Sequence, residues 1–270
     1  MKNIKLFFLS LITVISAAAQ DGNKEQLVVP LNDPGKPYKL NVNLVNGSIK
    51  IVGYDGKDIM IDGETEGGRK REERSESGMR KLNSHTLSIA AQIKNNQVNV
   101  YTEQPNIHIQ LTLKIPKGAE NIKVETVNDG DIEVSNTSGE MEINNTNGSI
   151  KLSNVSGSVV ANTVNGDVTA TFTTIDPKAP MAFSTTNGNV DVTFPSSLKA
   201  NVRLKSEQGD VFTDFDISVD KRQPETERTK EGSMYRLNVK DWIYGKIGGG
   251  GPEIMMNNLN GNIYARKLKQ

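Results

Sequence analysis

A nine-residue period constrains this chain more than any other feature. From Thr126 to Ala170 five units follow without a gap: TVNDGDIEV, SNTSGEMEI, NNTNGSIKL, SNVSGSVVA and NTVNGDVTA. The fifth place is Gly130, Gly139, Gly148, Gly157 or Gly166. The seventh is Ile132, Met141, Ile150, Val159 or Val168, and the ninth Val134, Ile143, Leu152, Ala161 or Ala170. Residues two apart share a strand face. The seventh and ninth places therefore bury together, and the eighth (Glu133, Glu142, Lys151, Val160, Thr169) faces solvent. A unit this short cannot cover its own apolar face, but stacked units can, which is the logic of a β-solenoid. Ser-Gly units at Gly139 and Gly157 alternate with the other kind. Two short strands per rung of 18 residues follow, so residues 18 apart should stack about 4.8 Å apart.

Asn-Gly and Ser-Gly also favour tight turns, because Gly takes positive φ without a Cβ clash. A meander of antiparallel hairpins is therefore the competing architecture. The phrase recurs more loosely around Gly47, Gly188, Gly209 and Gly261. Gly188 lies 22 residues after Gly166, and Gly209 lies 21 after Gly188, which reads as successive single rungs with small insertions. IHIQLTLKIPKGAENIKVE reads as two strands joined by a Pro-Lys-Gly turn. Gly63–Ser84 and Asp220–Gly232 are dense in charge and poor in apolar residues. They read as solvated loops or short helices lying on the solenoid, or as binding surfaces. The fold expected is all-β: a parallel β-solenoid with rungs of about 18–22 residues and charged loop insertions.

The N-terminus MKNIKLFFLSLITVISAAAQ has Lys2 and Lys5, an apolar run from Leu6 to Ile15, and small residues before Gln20. That is the pattern of a secretory signal, with cleavage expected after Ala19. An uncleaved anchor is the alternative, but the run is shorter than the ~20 residues a span needs. A single domain over 20–270 is expected, with an irregular part 20–105, regular repeats 106–213, and an insertion and C-terminal cap 214–270. The 32 basic and 32 acidic residues cancel, which argues against nucleic-acid binding through bulk charge. The absence of cysteine excludes disulfides, thiolate metal sites, a cysteine nucleophile and a lipidated N-terminal cysteine. Aromatics are 5% of residues, so a core of small and β-branched side chains is expected.

In order, the chain carries VNGSIKIVGYDGKDIMIDGE, a charged segment, IQLTLKIPKGAENIKVETVNDGDIEV, the serial repeats and IGGGGPEIMMNNLNGNIYARK. This resembles a bacterial family of exported β-strand-repeat proteins regarded as candidate adhesins, once a domain of unknown function. LKIPKGAENIKVETVNDGDIEV is the most specific part. The resemblance implies a right-handed parallel β-helix in the cell envelope or secreted space. It supplies no catalytic motif.

The search for chemistry is short. His85 and His108 are the only histidines, and no HExxH accompanies them. IGGGGPE at 247–253 lacks the Lys-Ser/Thr of a phosphate loop and reads as a bend feeding the last rung. Calcium-binding nonapeptide rolls need a doubled glycine that is missing here, although acids follow glycine at Asp131, Glu140, Asp167 and Asp210. No metal or cofactor is therefore expected. Asp131 and Asp167 are 36 residues apart, two rungs, which places them about 10 Å apart, at or just beyond the upper end for an inverting carboxylate pair. Ser149 lies between them, so polar residues following a turn is the preferred reading, and no catalytic residue is assigned. The expected role is an exported, non-catalytic adhesin-like or scaffold protein, periplasmic or at the cell surface. Its partner would be an envelope protein or a surface glycan, with no transmembrane span in the mature chain. An envelope accessory or regulatory protein acting through charged loops is the first alternative, and a carbohydrate-active β-helix enzyme the second.

Overall fold

The computed structural model describes residues 24–65, 87–220, 225–231, 234–240 and 242–269. Among them every regular element is a strand. Nineteen strands share one hydrogen-bonded sheet that folds into two facing walls, because long strands such as Tyr38–Tyr54 and Ile150–Asn162 pass round its corners. In the first wall the parallel order is Ile109–Pro116, 47–54, Ile132–Ser135, 150–153, 168–171, Val190–Phe194, Ile263–Lys267 and Val211–Thr213. In the second it is Gln97–Thr102, 38–46, Ala119–Asn128, Ser138–Asn145, 156–162, Met181–Asn187, Glu253–Asn260 and Ala200–Gln208.

The repeat does what its period requires. Ile132, Ile150 and Val168 are in register in the first wall, and Met141 and Val159 in the second. All five are buried, as are the ninth-place residues. Pairing is parallel throughout this block, so the antiparallel meander is excluded. Ala161 and Ala170 leave room that larger rings occupy. Ala161 pairs with Phe183, and Phe172, Phe183 and Phe194 pack together with centroids 5.5–6.3 Å apart. Three phenylalanines thus cluster in the core beside the small Ala161.

The corners are polar, and buried at Asn145, Thr163, Thr185 and Asn258. Thr163, Thr185, Asn258 and Ser206 each stand three residues before a glycine and donate to the glycine carbonyl of the preceding rung. Thr163 Oγ1 to Gly148 O is 2.8 Å, and Thr185 Oγ1 to Gly166 O is 2.8 Å. Asn145 makes the same bond to Gly130 O at 2.9 Å. A buried hydroxyl is tolerated only because it is satisfied. Thr163→Val keeps the shape and removes the donor; it should lower stability by about 1–3 kcal/mol. Urea denaturation should record this as a lower midpoint at unchanged slope.

Three sequence expectations need correction. First, rungs that follow one another in sequence are not always neighbours. The strand pair 253–267 lies between 181–194 and 200–213, so Gly188 and Gly209 both adjoin Gly261 and not each other. At the other end 38–54 sits between 97–116 and 119–135. Second, Glu225–Glu231 is neither loop nor helix. It pairs antiparallel with Met234–Lys240 as a separate two-stranded ribbon. Gly63–Thr65 likewise belongs to the strand Asp58–Thr65, while 66–84 lies outside the described residues. Third, Gly130 does not take the turn conformation itself; Asp129 does, at φ 49°.

The ends of the stack differ. Asp58–Thr65 and Lys24–Pro30 close the first wall with antiparallel strands, and Ile89–Lys94 closes the second. At the far end Ile243–Ile247 and Ile217–Asp220 close the second wall. Among the described residues no strand pairs with the outer side of Val211–Thr213.

Candidate binding surface

The first wall's outer face carries the side chains the sequence singled out. Residues that follow a corner glycine form a line along the stack. Asp131 Oδ1 accepts the Ser149 N–H at 2.7 Å, and Ser149 Oγ accepts the Asp167 N–H at 3.2 Å. Asp167 Oδ1 accepts from Asn189 N at 2.6 Å, Asn189 Oδ1 from Asn262 N at 2.8 Å, and Asn262 Oδ1 from Asp210 N at 2.9 Å. Beside it runs a second line, in which Asn165, Asn187 and Asn260 each donate through Nδ2 to the Oδ1 of Asn147, Asn165 and Asn187 in turn.

These contacts assign Asp131 and Asp167 a backbone role: each ties its rung to the next. An amide oxygen serves equally, since Asn189 and Asn262 occupy the same place. Asp167→Ala should therefore cost about 1 kcal/mol, while Asp167→Asn should cost a few tenths at most, by thermal denaturation. A catalytic carboxylate would give the opposite pattern in an activity assay, with Asn as damaging as Ala.

At the corner near Gly47 the face is indented by a groove of about 560 Å³. Its lining includes Lys50, His108, Gln110, Asp131 and Glu133. Lys50 Nζ lies 3.2 Å from Glu133 Oε2, so opposite charges meet across neighbouring strands. The stem of His108 precedes the strand Ile109–Pro116, and its side chain is half-buried. Among the described residues no three His, Asp or Glu side chains are gathered as a metal-ligating set.

At the opposite end of the same face lies a cluster that the sequence reading missed. Phe212 and Tyr264 stack with ring centroids 5.1 Å apart and planes within 12°. The Arg266 guanidinium lies 4.6 Å from the Tyr264 ring centroid. It also holds Asp191 in a two-pronged bond, Nε to Oδ1 at 2.7 Å and Nη2 to Oδ2 at 3.0 Å. Asp191, Tyr264 and Phe212 each stand three residues after a glycine, the outward place of the repeat. That signal was available, but their adjacency depends on the inserted strand Ile263–Lys267. On the second wall Arg203 lies over Trp242, 4.0 Å from the ring centroid.

A family model, Toastrack DUF4097, matches residues 19–240. The chain belongs to the Toastrack DUF4097 family. The family resemblance read from the sequence holds at that level. No protein of curated function matches the Toastrack chain. Among solved structures, a candidate cell adhesion protein of Clostridium sporogenes is similar at 14% identity and a TM-score of 0.44, with 91% of this chain and 99% of that one covered. A candidate adhesin of Bacteroides fragilis is similar at 10% identity and a TM-score of 0.41, covering 92% and 98%. A candidate lipid-binding protein of Parabacteroides distasonis is similar at 11% identity and a TM-score of 0.30, covering 92% and 98%.

The remaining expectations fall as follows. The glycine run feeds a turn, with Gly248, Gly249 and Gly250 at φ 59°, 90° and 95°. The strand it feeds is the next-to-last rung in space rather than the last. Among the described residues no helix is long and apolar enough to cross a membrane. The signal segment 1–19, His85 and the charged stretch 69–81 lie outside the described residues.

Proposed function

We propose that this Toastrack protein is an exported, non-catalytic binding or scaffold protein of the cell envelope, adhesin-like in role. In this reading residues 1–19 are removed as a signal peptide, and 20–270 form one domain wound as a right-handed β-helix. The observation that carries it is the outer face of the first wall. Its conspicuous carboxylates, Asp131 and Asp167, hold the backbone of the next rung instead of facing each other across a reaction centre. What the face offers beyond them is a long, rigid display of polar side chains suited to contact with a surface. Its partner would be an envelope protein or a surface glycan.

A second reading has one observation in its favour. The strands Glu225–Glu231 and Met234–Lys240 form a two-stranded sheet with no strand pairing to the walls, an element through which an envelope accessory protein could engage a regulator. Deleting 225–240, and separately Arg69–Lys81, and following both surface attachment and envelope stress signalling separates the two. Loss of signalling with attachment intact would replace the adhesin-like reading by the accessory one. Retention of both properties in either deletion, with loss of attachment when the whole protein is absent, is the expected result.

A further inference from the structure

The Asn-Gly corners carry a chemistry of their own. A glycine after asparagine has no Cβ to keep its amide nitrogen from the asparagine side chain. That nitrogen, once deprotonated, can attack Cγ, expel ammonia and close a five-membered succinimide, which water opens to aspartate or isoaspartate. The chain holds five such pairs, beginning at Asn46, Asn147, Asn165, Asn187 and Asn260. The stack opposes the reaction with two kinds of bond. Gly148, Gly166 and Gly188 donate their N–H groups to the carbonyls of Asn165, Asn187 and Asn260 at 2.8, 2.8 and 2.9 Å, so the attacking nitrogen is engaged. The Oδ1 atoms of Asn147, Asn165 and Asn187 each accept Nδ2–H from the next asparagine, at 2.9, 2.8 and 2.7 Å. With its own Nδ2 bonded as well, each of these amides is pinned at both atoms. At the remaining pair, Gly47 is buried inside the strand Tyr38–Tyr54, and Asn46 Nδ2 donates to the Pro105 carbonyl.

Both kinds of bond stop at Asn260. The next rung places Gln208 opposite it, where the ladder would need another asparagine. Asn260 keeps one side-chain bond, Nδ2 to Asn187 Oδ1, and among the described residues its own Oδ1 accepts none. Nor does the Gly261 N–H reach a backbone carbonyl of the next rung, as its three counterparts do. We propose that Asn260 is a modification site, the asparagine at which this chain deamidates first, through a succinimide with Gly261. The bond from Gly261 N to Asn260 Cγ forms as Cγ–Nδ2 breaks, the proton lost from Gly261 leaves with the ammonia, and one water reopens the ring. Exposure alone would give another order, because Asn165 and Asn187 are more exposed than Asn260. The isoaspartate product adds a carbon to the backbone of the inserted strand pair 253–267, which pairs with neighbours on both sides.

The test ages the folded full chain in mildly alkaline buffer and follows the conversion of amide to acid by peptide mass mapping. Each of the five pairs lies on its own tryptic peptide, and fragmentation places the change within it. Reaching the reactive geometry breaks one of these bonds at Asn260 and three at Asn165 or Asn187. At about two- to tenfold per bond, Asn260 should react about tenfold faster than either. The same chain in concentrated urea should lose this order, with the five pairs reacting at similar rates. Asn187→Ala removes the remaining side-chain bond of Asn260; it should speed Asn260 about two- to tenfold and leave Asn147 unchanged. Asn165 or Asn187 reacting in the folded chain as fast as Asn260 would overturn the proposal. So would an Asn260 that stays intact while the urea-treated chain loses it, or one whose rate ignores Asn187→Ala.

Discussion

Gly148→Val should leave the chain unable to fold. A Cβ at Gly148 would stand 2.1 Å from the Gly130 carbonyl oxygen and 2.7 Å from its carbon. That neighbour is backbone of the adjoining rung, itself fixed by the Asn145 side chain bonding to the same oxygen at 2.9 Å. Relief would require the rungs to part. The φ of 150° adds strain for any residue with a Cβ, most of all a β-branched one. The cost should exceed about 4–5 kcal/mol, the range reserved for exceptional substitutions, against a typical total of 5–15. Gly118→Ala is the control. Its φ of 98° is equally unusual, but nothing lies within 4 Å of the added Cβ. It should cost only the conformational penalty, about 1–2 kcal/mol. Circular dichroism and solubility of the two variants decide the matter. A folded Gly148→Val with near-parental stability would mean the corner is looser than its contacts imply.

The alternation of Ile132, Val134 and their equivalents was readable because burial on one face of a strand has a period of two, and a strict repeat multiplies that signal. The corner glycines were readable for a related reason: only Gly fits where one rung's backbone rests on the next. The order of the rungs was not. Gly188, Gly209 and Gly261 carry the same local phrase, and a phrase that suits any rung cannot specify which rung it lies against. The exchange at both ends is decided by which strands close the walls, a long-range matter. The ribbon of Glu225–Glu231 and Met234–Lys240 was hidden for a different reason. Charge on one strand was read without its partner, although alternating Tyr235, Leu237 and Val239 stand a few residues on. The cluster at Phe212 inherits the first difficulty. Its residues sit at the predictable outward place, yet Phe212 and Tyr264 meet only because a later strand enters between earlier ones. The acids after glycine show the reverse case. Their spacing suggested a carboxylate pair, and the structure turns the same spacing into a line of bonds to backbone N–H groups.

Removing residues 253–270 should abolish the folded state, although the family model ends at residue 240. In a solenoid whose rungs follow sequence order, trimming the last repeat removes one interface and leaves the rest standing. Here the trimmed rung is internal. Glu253–Asn260 pairs with Met181–Asn187 on one side and Ala200–Gln208 on the other, and Ile263–Lys267 does the same between Val190–Phe194 and Val211–Thr213. Ile254, Met256 and Ile263 are buried, and at about 1.5–3 kcal/mol each their loss alone removes roughly 5–9 kcal/mol. The cut also strips Asn258, whose Nδ2 bonds to the Gly188 carbonyl at 2.6 Å, and Arg266, the partner of Asp191. It detaches 200–208 and the capping strands Ile243–Ile247 and Ile217–Asp220 from everything before them. The deficit is comparable with the whole stability of a typical domain. The gap could close only if 200–213 moved down one rung to pair with 181–194, which the truncated chain is free to attempt. Hydrogen exchange distinguishes the outcomes. Loss of protection throughout 181–213 marks the expected collapse. Retained protection there, with a cooperative melt only slightly below the parent's, would mean that neighbouring rungs can exchange partners and that the inserted strand pair is dispensable.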